Sequence, residues 1–268
     1  APDKSLMLLK PTGAVAHEGG GVTKINSRAL RAHHKRAWVS NRATLAVCGD
    51  VDGPSVKRLF DRLLKGWEPG KLLKPRKPKF PKRGARVSLH HADRRQVHIF
   101  LGHLGVRRSD PDYPALVVLD HVLGTGPGFT NRIARRLRDE LGLAYTVSAS
   151  ISSAAGVGPG MFTAYIGTSP ENVDTAIAGF LREMRLIQTE PVTEAELDLV
   201  KGYLIGSFPM GYERAARRAS YLIASRIHGF PDDYLETLPR AFEAVTPEDI
   251  QRVAKKHLHP GACCLSAS

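Results

Sequence analysis

An arginine and a tyrosine seven residues apart, Arg138 and Tyr145, are the residues of this chain best suited to polar chemistry. They lie in the stretch GTGPGFTNRIARRLRDELGLAYTVSASI, residues 124–151. A guanidinium offers five N–H donors and a phenol offers one O–H donor. Such donors suit a carbonyl oxygen, or the oxyanion that forms when the carbonyl is attacked. No other group in the chain has a sequence pattern that would deliver the attack.

The elements around the pair predict how the two side chains meet. The sequence predicts a glycine-rich turn, an arginine-rich helix that carries Arg138 late, and a strand over 143–152 that carries Tyr145 early. A reversal from helix to strand brings two such side chains to one place. The alternatives are an ordinary surface ion pair of Arg138 with Asp139 or Glu140, and ordinary packing of a strand tyrosine. The glycine spacing, G-x-G-x-G without a Walker lysine, disfavours phosphate binding.

Beyond the pair, the chain alternates between amphipathic helical stretches and short apolar runs, which predicts an α+β fold. Strands are predicted at 43–48, 86–91, 96–104, 143–152, 161–168 and 261–267, with the fourth and fifth forming a hairpin. Thr193 and Glu196 have the spacing of a capping box that starts a helix. We predict the end of a first domain over 1–67, a basic proline-rich linker over 68–84, and a second domain over 85–268.

Two segments far apart in the chain share one pattern. Residues 25–46 and 245–265 both have a cap, an amphipathic helix, a basic turn and an apolar run, and Leu30 matches Ile250 at an offset of 250 − 30 = 220. This repeat predicts two homologous domains. Because almost no element precedes the first repeat, we expect the first copy to be truncated. A chance likeness between two helix–strand units is the alternative.

The charge of the chain is strongly basic, with a net charge of +13 over 268 residues. Much of it lies in a lysine- and arginine-rich block between residues 74 and 83, interleaved with prolines and with Phe80 as its one aromatic residue. A basic block without stacking aromatics predicts no specific nucleic-acid binding and leaves an acidic partner open. The apolar run 115–123 is interrupted by Asp120 and His121, so we predict no membrane span. The compartment stays open, and a soluble protein of the bacterial cytoplasm or periplasm would fit.

Several segments occur together in a fixed order. They are GDVD at 49–52, the strand at 96–102, RRSDPDYPAL at 107–116, LGTGPGFTNRIARRLRDELGLAYTV at 123–147, PVTEAELDLVKGYLIGSF at 191–208 and VTPEDIQRVAKKHLHP at 245–260. Together they resemble the pitrilysin/insulinase family of zinc metallopeptidases, the inverted zincins, over most of the chain. The resemblance implies duplicated α+β domains of the LuxS/processing-peptidase-like metallopeptidase fold. Each has an antiparallel sheet with helices packed on one face, and two domains enclose a peptide.

In that family the second domain contributes an arginine and a tyrosine that hold the substrate backbone. Arg138 and Tyr145 match this pair in spacing and context, with 145 − 138 = 7. The resemblance therefore implies that they bind an extended peptide or unfolded protein and stabilise the scissile carbonyl. It also implies that the substrate adds as a strand to an exposed sheet edge. The strand at 143–152 and its hairpin partner are both candidates for that edge.

The family's zinc motif, His-x-x-Glu-His, does not occur in this chain, and none of its eleven histidines has Glu-His three and four residues on. We interpret each histidine as a solvent-exposed or turn residue. We therefore expect zinc in the complete enzyme, none bound by this chain, and no hydrolysis by the chain alone. Upstream sequence or a partner subunit in a heterodimer would supply the zinc-bearing half. The alternative is a catalytically inactive assembly subunit, similar to the processing-peptidase-like core proteins of respiratory complexes.

Overall fold

The structure, a computed structural model, describes residues 27–71, 84–89 and 95–268 of the chain. The chain divides into two compact units, Ala1–Lys79 and Phe80–Ser268. The basic proline-rich block between residues 74 and 83 lies outside the described residues. The three-part division expected from the sequence stays a prediction.

The described part of the first unit is helical. Helix α1 spans Ser27–Ala37, a 3₁₀ turn spans Ser40–Arg42, and helix α2 spans Gly53–Leu63. The strand predicted at 43–48 is wrong, because these residues have no regular structure. An apolar run becomes a strand only when a neighbouring strand pairs with its backbone groups. Among residues 27–71 of this unit no strand is present to do so.

The described strands of the second unit form one mixed sheet. They are β1 Arg86–Leu89, β2 Val97–Leu104, β3 Val147–Ser150, β4 Met161–Thr168 and β5 Cys264–Ala267. Their order is β1-β5-β2-β4-β3, and the predicted hairpin is confirmed as the antiparallel pair β3–β4. The expectation of a purely antiparallel sheet is wrong at one edge, where β1 and β5 are parallel. These two strands are joined through most of the domain, and such a long connection lets the chain return in the same direction.

The helices of the second unit cover one face of this sheet. They are α3 Tyr113–Asp120, α4 Val173–Thr189, α5 Glu194–Ser207, α6 Ala215–His228, α7 Tyr234–Glu243 and α8 Pro247–His257. Along β2, Ile99 and Leu101 are buried, whereas His98 and Phe100 are exposed on the opposite face. Strand side chains alternate between faces, so this pattern marks one covered face and one open face. The predicted α+β fold with helices on one face is confirmed.

Several of these helices begin where the sequence predicts. The Thr193 hydroxyl accepts the N–H of Glu196 at 3.2 Å, and the Glu196 carboxylate accepts the N–H of Thr193 at 3.0 Å, which confirms the capping box of α5. Among the described helices, none combines the length and the apolar composition needed to cross a bilayer.

The interpretation of every histidine as a solvent-exposed or turn residue is wrong for the buried His103, and His257, which is 12% exposed on α8, departs from it as well. His103 lies on β2 and is 8% exposed, with its ring stacked on Phe162 at a centroid distance of 4.9 Å. Its Nδ1 lies 2.9 Å from the carbonyl oxygen of Leu104, and its Nε2 accepts the N–H of His259 at 3.2 Å. The interpretation fails for His103 because the register of a strand decides which side chains face the core. A polar residue at an inward-facing position is then buried whatever its type.

The sequence repeat has a structural counterpart. Helices α1 and α8 each have eleven residues and begin 247 − 27 = 220 residues apart, and the 3₁₀ turns Ser40–Arg42 and Pro260–Ala262 follow at the same offset, 260 − 40 = 220. In the second unit, Leu258 of the repeat is 1% exposed, whereas Trp38 at the matching position is 58% exposed. The recurrence supports a duplicated domain, which stays a prediction.

Candidate functional site

Arg138 and Tyr145 meet beside the end of the arginine helix, the π-helical segment Ala134–Glu140. The guanidinium carbon of Arg138 lies over the face of the Tyr145 ring, 5.3 Å from its centre, which is within cation–π range. The tyrosine is 79% exposed and the arginine side chain is 25% exposed. The two side chains that the sequence selects are therefore brought together at the surface of the second unit.

The acidic neighbours of Arg138 differ in what they bind. Arg138 Nη1 lies 3.8 Å from Asp139 Oδ1, near the limit of an ion pair, whereas Glu140 binds Arg136 at 2.6 Å. Ion pairs at exposed positions stabilise a fold by about 0–1 kcal/mol. The alternative role of Arg138, an ordinary surface ion pair, therefore depends on one long contact to Asp139. The carboxylate of Glu140 binds Arg136 instead.

The chain between the two side chains is held at fixed points. Gly142 has φ +62°, the left-handed conformation that glycine adopts readily at a helix C-terminus. The next residue, Leu143, is 9% exposed, and its carbonyl oxygen accepts the Thr168 hydroxyl at 2.8 Å. Val147, the first residue of β3, is 6% exposed. Tyr145 lies midway between these two buried residues, which fixes the segment while its own side chain stays in solvent.

Strand β3 is shorter than the strand predicted over 143–152, and Tyr145 precedes it instead of belonging to it. The backbone at the start of the predicted strand binds elsewhere, since the carbonyl of Leu143 accepts a side-chain hydroxyl. In the described sheet β3 lies at one end and pairs on one side only, with β4. Of the two candidate edges, β3 is therefore the edge strand and β4 is interior.

A buried carboxylate fixes the far end of β3. Asp120, the last residue of α3, is 1% exposed and accepts the Ser150 hydroxyl at 2.6 Å, the Ile151 N–H at 2.9 Å and the Ser152 N–H at 2.8 Å. The Ser152 hydroxyl donates to it as well. Burial raises the pKa of Asp120, against the lowering effect of these hydrogen bonds. The sequence marked Asp120 only as a break in an apolar run, and that break was the available signal of its role.

A glycine lets the segment after α3 lie directly against β3. This π-helical segment spans His121–Thr125, and a Cβ on Gly124 would fall 2.5 Å from the carbonyl oxygen and 2.6 Å from the nitrogen of Ala149. Any larger residue would have to displace backbone. The first glycine of the glycine-rich turn is therefore explained by packing, because it lets the backbone of the π-helical segment lie close to the backbone of β3.

The start of the arginine helix is held by a partly buried ion pair that the sequence did not indicate. Arg132 Nε and Nη2 each lie 2.8 Å from the Glu196 carboxylate, and the two side chains are 9% and 24% exposed. The bidentate hydrogen bonds from Arg132 lower the pKa of Glu196 to about 2. Since Glu196 also caps α5, one carboxylate ties two helices together. The partners are 64 residues apart, beyond the reach of any local pattern.

One cluster of metal-ligand residue types among the described residues does not fit a zinc site. Asp110, Asp112 and His257 place one potential ligand atom each within 4.8 Å of one another. The carboxylate of Asp112, however, already binds Arg252 Nη1 at 2.7 Å, Lys256 Nζ at 2.6 Å and His257 Nε2 at 2.8 Å. Burial would raise the pKa of Asp112, but these bonds together outweigh it and hold the pKa well below its usual range. Two cations at this carboxylate disfavour a third, so we interpret the cluster as a link between α3 and α8.

Comparison with known proteins assigns the chain to a family. A family model described as the peptidase M16 inactive domain matches residues 24–204, more than half of the chain. The chain belongs to this family. A relative in Mycobacterium tuberculosis, named an uncharacterized zinc protease, is 28% identical over 232 residues, which cover 84% of this chain and 51% of the relative. The M16 chain thus spans about half the length of the curated relatives it matches, and its predicted membership of a zinc metallopeptidase family is confirmed.

Solved structures agree on the fold. The crystal structure of a peptidase M16 inactive domain from Pseudomonas fluorescens has a TM-score of 0.79 and 24% identity, and covers 92% of this chain and 58% of that one. A chain of complex III₂ from Candida albicans has a TM-score of 0.72 and 13% identity, over 98% of this chain and 66% of that one. Identities this low establish a shared fold alone.

Proposed function

We propose that this M16 domain is the substrate-binding, non-zinc part of a zinc-dependent endopeptidase. Arg138 and Tyr145 donate hydrogen bonds to a carbonyl oxygen of an extended peptide beside the scissile bond. Donors that are already in place where negative charge develops lower the barrier to attack on a carbonyl. The observation that carries the proposal is the 5.3 Å contact between the Arg138 guanidinium and the ring of the 79% exposed Tyr145.

The edge strand gives the peptide a place to bind. An extended peptide can add to a free sheet edge through main-chain hydrogen bonds, with side-chain pockets supplying selectivity. Strand β3 pairs with β4 on one side in the described sheet, and Tyr145 lies two residues before its first residue. A peptide paired with β3 would therefore run past the phenol and the guanidinium.

Hydrolysis needs a zinc site that we assign to another part of the enzyme. The sequence has no His-x-x-Glu-His, and the cluster around Asp112 is neutralised by cations. Relatives about twice as long as the matched region are named zinc proteases, which supports a zinc-bearing half outside this chain. That half would be upstream sequence or a partner subunit, and the chain by itself would not cleave peptides.

The competing function is that of an assembly subunit without catalysis. The fold likeness to a chain of complex III₂ is compatible with such a role. An exposed guanidinium–phenol pair beside an edge strand favours the peptidase instead, because a purely structural subunit has no need of it.

The test combines the purified chain with a partner chain that carries His-x-x-Glu-His, or restores upstream sequence that carries it, and follows cleavage of an unstructured fluorogenic peptide. We expect zinc-dependent cleavage by the combination and none by the chain alone. Tyr145→Phe removes one hydroxyl, and we expect kcat to fall about 10²-fold, as for loss of one oxyanion donor. Arg138→Gln should lower it at least as much.

The matched control is Arg135→Gln, which removes an exposed arginine three residues before Arg138 on the same helix. It should leave kcat unchanged. Robust zinc-dependent cleavage by the chain alone would overturn the assignment of the zinc site elsewhere. Full kcat in folded Tyr145→Phe and Arg138→Gln proteins would overturn the proposed role of the pair.

A further inference from the structure

A second surface of this domain has the features of a ligand site. A cleft of about 1050 Å³ lies among helices α3, α5, α6 and α7, and neither Arg138 nor Tyr145 lines it. Its size is at the upper end of the range of small-molecule sites in proteins, about 300–1,000 Å³. Helix α6 contributes no buried residue to the domain, so its inner face borders this space and not the core.

Aromatic rings line two walls of the cleft. On one wall, the rings of Phe230 and Tyr234 stack with centroids 4.0 Å apart and planes 7° apart. On the other wall, Tyr212 packs edge-on against Tyr221 at 5.6 Å and contacts Phe208 at 5.1 Å. Aromatic walls of this kind bind flat or apolar groups, since ring stacking adds to the burial of apolar area.

A cation lies against the aromatic rings of the cleft. The guanidinium carbon of Arg108 lies 4.0 Å from the centre of the Tyr113 ring and 5.8 Å from that of Phe230. Within the part of the chain that the structure describes, no carboxylate lies within ion-pair distance of Arg108. Arg214 and Arg217 also line the cleft, and Glu213 is the one carboxylate in its described lining, so arginines outnumber carboxylates there and favour an anion.

The phenols of the cleft are suited to donate hydrogen bonds. The Tyr221 hydroxyl is shielded from solvent, and Ser225 lies beside it without a hydrogen bond of ordinary geometry. Burial raises the pKa of Tyr212, of Tyr221 and of Tyr234, so all three stay neutral at physiological pH and keep their protons. A buried donor without a well-aligned partner costs free energy that a bound acceptor would recover.

We propose that this cleft binds a carboxylate attached to an aromatic or apolar group, with the carboxylate on Arg108 and the apolar group between the aromatic walls. An isolated phosphate or sulfate would leave the aromatic surfaces exposed, and a neutral apolar ligand would leave the arginines without an anion. Two sources share the required chemistry, a free small acid and the C-terminal residue of a peptide that ends in an aromatic side chain.

The experiment is calorimetric titration of the folded chain with 2-naphthoate and with its neutral analogue 2-naphthamide. Charge-assisted hydrogen bonds stabilise by about 1.5–3 kcal/mol, so we expect naphthoate to bind about tenfold to a hundredfold more tightly than the amide. Arg108→Gln should remove that preference. Arg217→Gln, at the exposed rim, should weaken naphthoate binding less than Arg108→Gln does. It is the variant to measure if Arg108→Gln does not fold.

The matched control is Arg226→Gln, on helix α6 but outside the cleft lining, which should leave the naphthoate affinity unchanged. Displacement of naphthoate by acetyl-Gly-Gly-Phe with a free C-terminus, but not by its C-terminal amide, would support a peptide source. Failure of both peptides to compete while naphthoate binds would support a free acid. Equal affinity for naphthoate and naphthamide, no binding of either, or unchanged naphthoate binding in folded Arg108→Gln would overturn the proposal.

Discussion

The ion pair between Arg132 and Glu196 predicts a measurable pH dependence of stability. The Arg132 hydrogen bonds lower the pKa of Glu196 from 4.5 to about 2, and the glutamate side chain is 24% exposed. A shift of that size corresponds to about 3 kcal/mol of folding free energy. Because the folded pKa lies below the unfolded one, this stabilisation is complete above the unfolded pKa. It is lost as the pH falls towards the folded pKa.

The perturbation is Glu196→Gln, which keeps a side-chain oxygen for the capping box but removes the charge that faces Arg132. We expect the free energy of unfolding, from urea titrations followed by circular dichroism, to fall by about 3 kcal/mol at pH 7. The loss should fall to about 1.5 kcal/mol at pH 3, because much of the stabilisation is then absent from the unmodified protein too.

The matched control is Glu140→Gln, which breaks an ion pair of 2.6 Å with Arg136 whose side chains are 47% and 33% exposed. Solvent screens such a pair, so the loss should be much smaller than for Glu196→Gln. Equal losses for the two variants, or a loss for Glu196→Gln that does not shrink between pH 7 and pH 3, would refute the reasoning.

Three further predictions concern the elements that hold the edge strand and the last helix. Asp120→Asn replaces a carboxylate that accepts four hydrogen bonds by an amide with one acceptor oxygen. We expect the free energy of unfolding, measured by urea titration, to fall by about 1–3 kcal/mol. An unchanged value would contradict the role of this carboxylate. Gly142→Ala places a Cβ at φ +62° with open space around it, so backbone strain alone should lower the free energy of unfolding by about 1–2 kcal/mol. A melting temperature equal to or above that of the unmodified protein would contradict this. Thr246→Ala removes the hydroxyl that caps α8 and should lower the free energy of unfolding by about 1 kcal/mol, measured by thermal unfolding. The control is Thr246→Ser, which keeps the hydroxyl.

Local patterns predicted much of the fold and the pair at its surface. Strand 161–168 has the bounds read from its sequence, and the capping box at Thr193 forms as expected. Arg138 and Tyr145 come together because the helix that carries Arg138, the turn at Gly142 and the segment before β3 that carries Tyr145 are consecutive, so local geometry is enough to bring them close. Such signals operate over a few residues and can be read without knowledge of the rest of the chain.

Only the tertiary structure decided which side of the hairpin is an edge, because pairing depends on strands far away in sequence. The apolar run at 43–48 has the composition of a strand but no described partner within its unit, whereas the matching segment becomes β5 between β1 and β2. Arg132 finds Glu196 across 64 residues, and the aromatic cleft is built by four helices that no single pattern relates. Sequence periodicity states which face of an element is buried, but what lies against that face is a property of the folded chain.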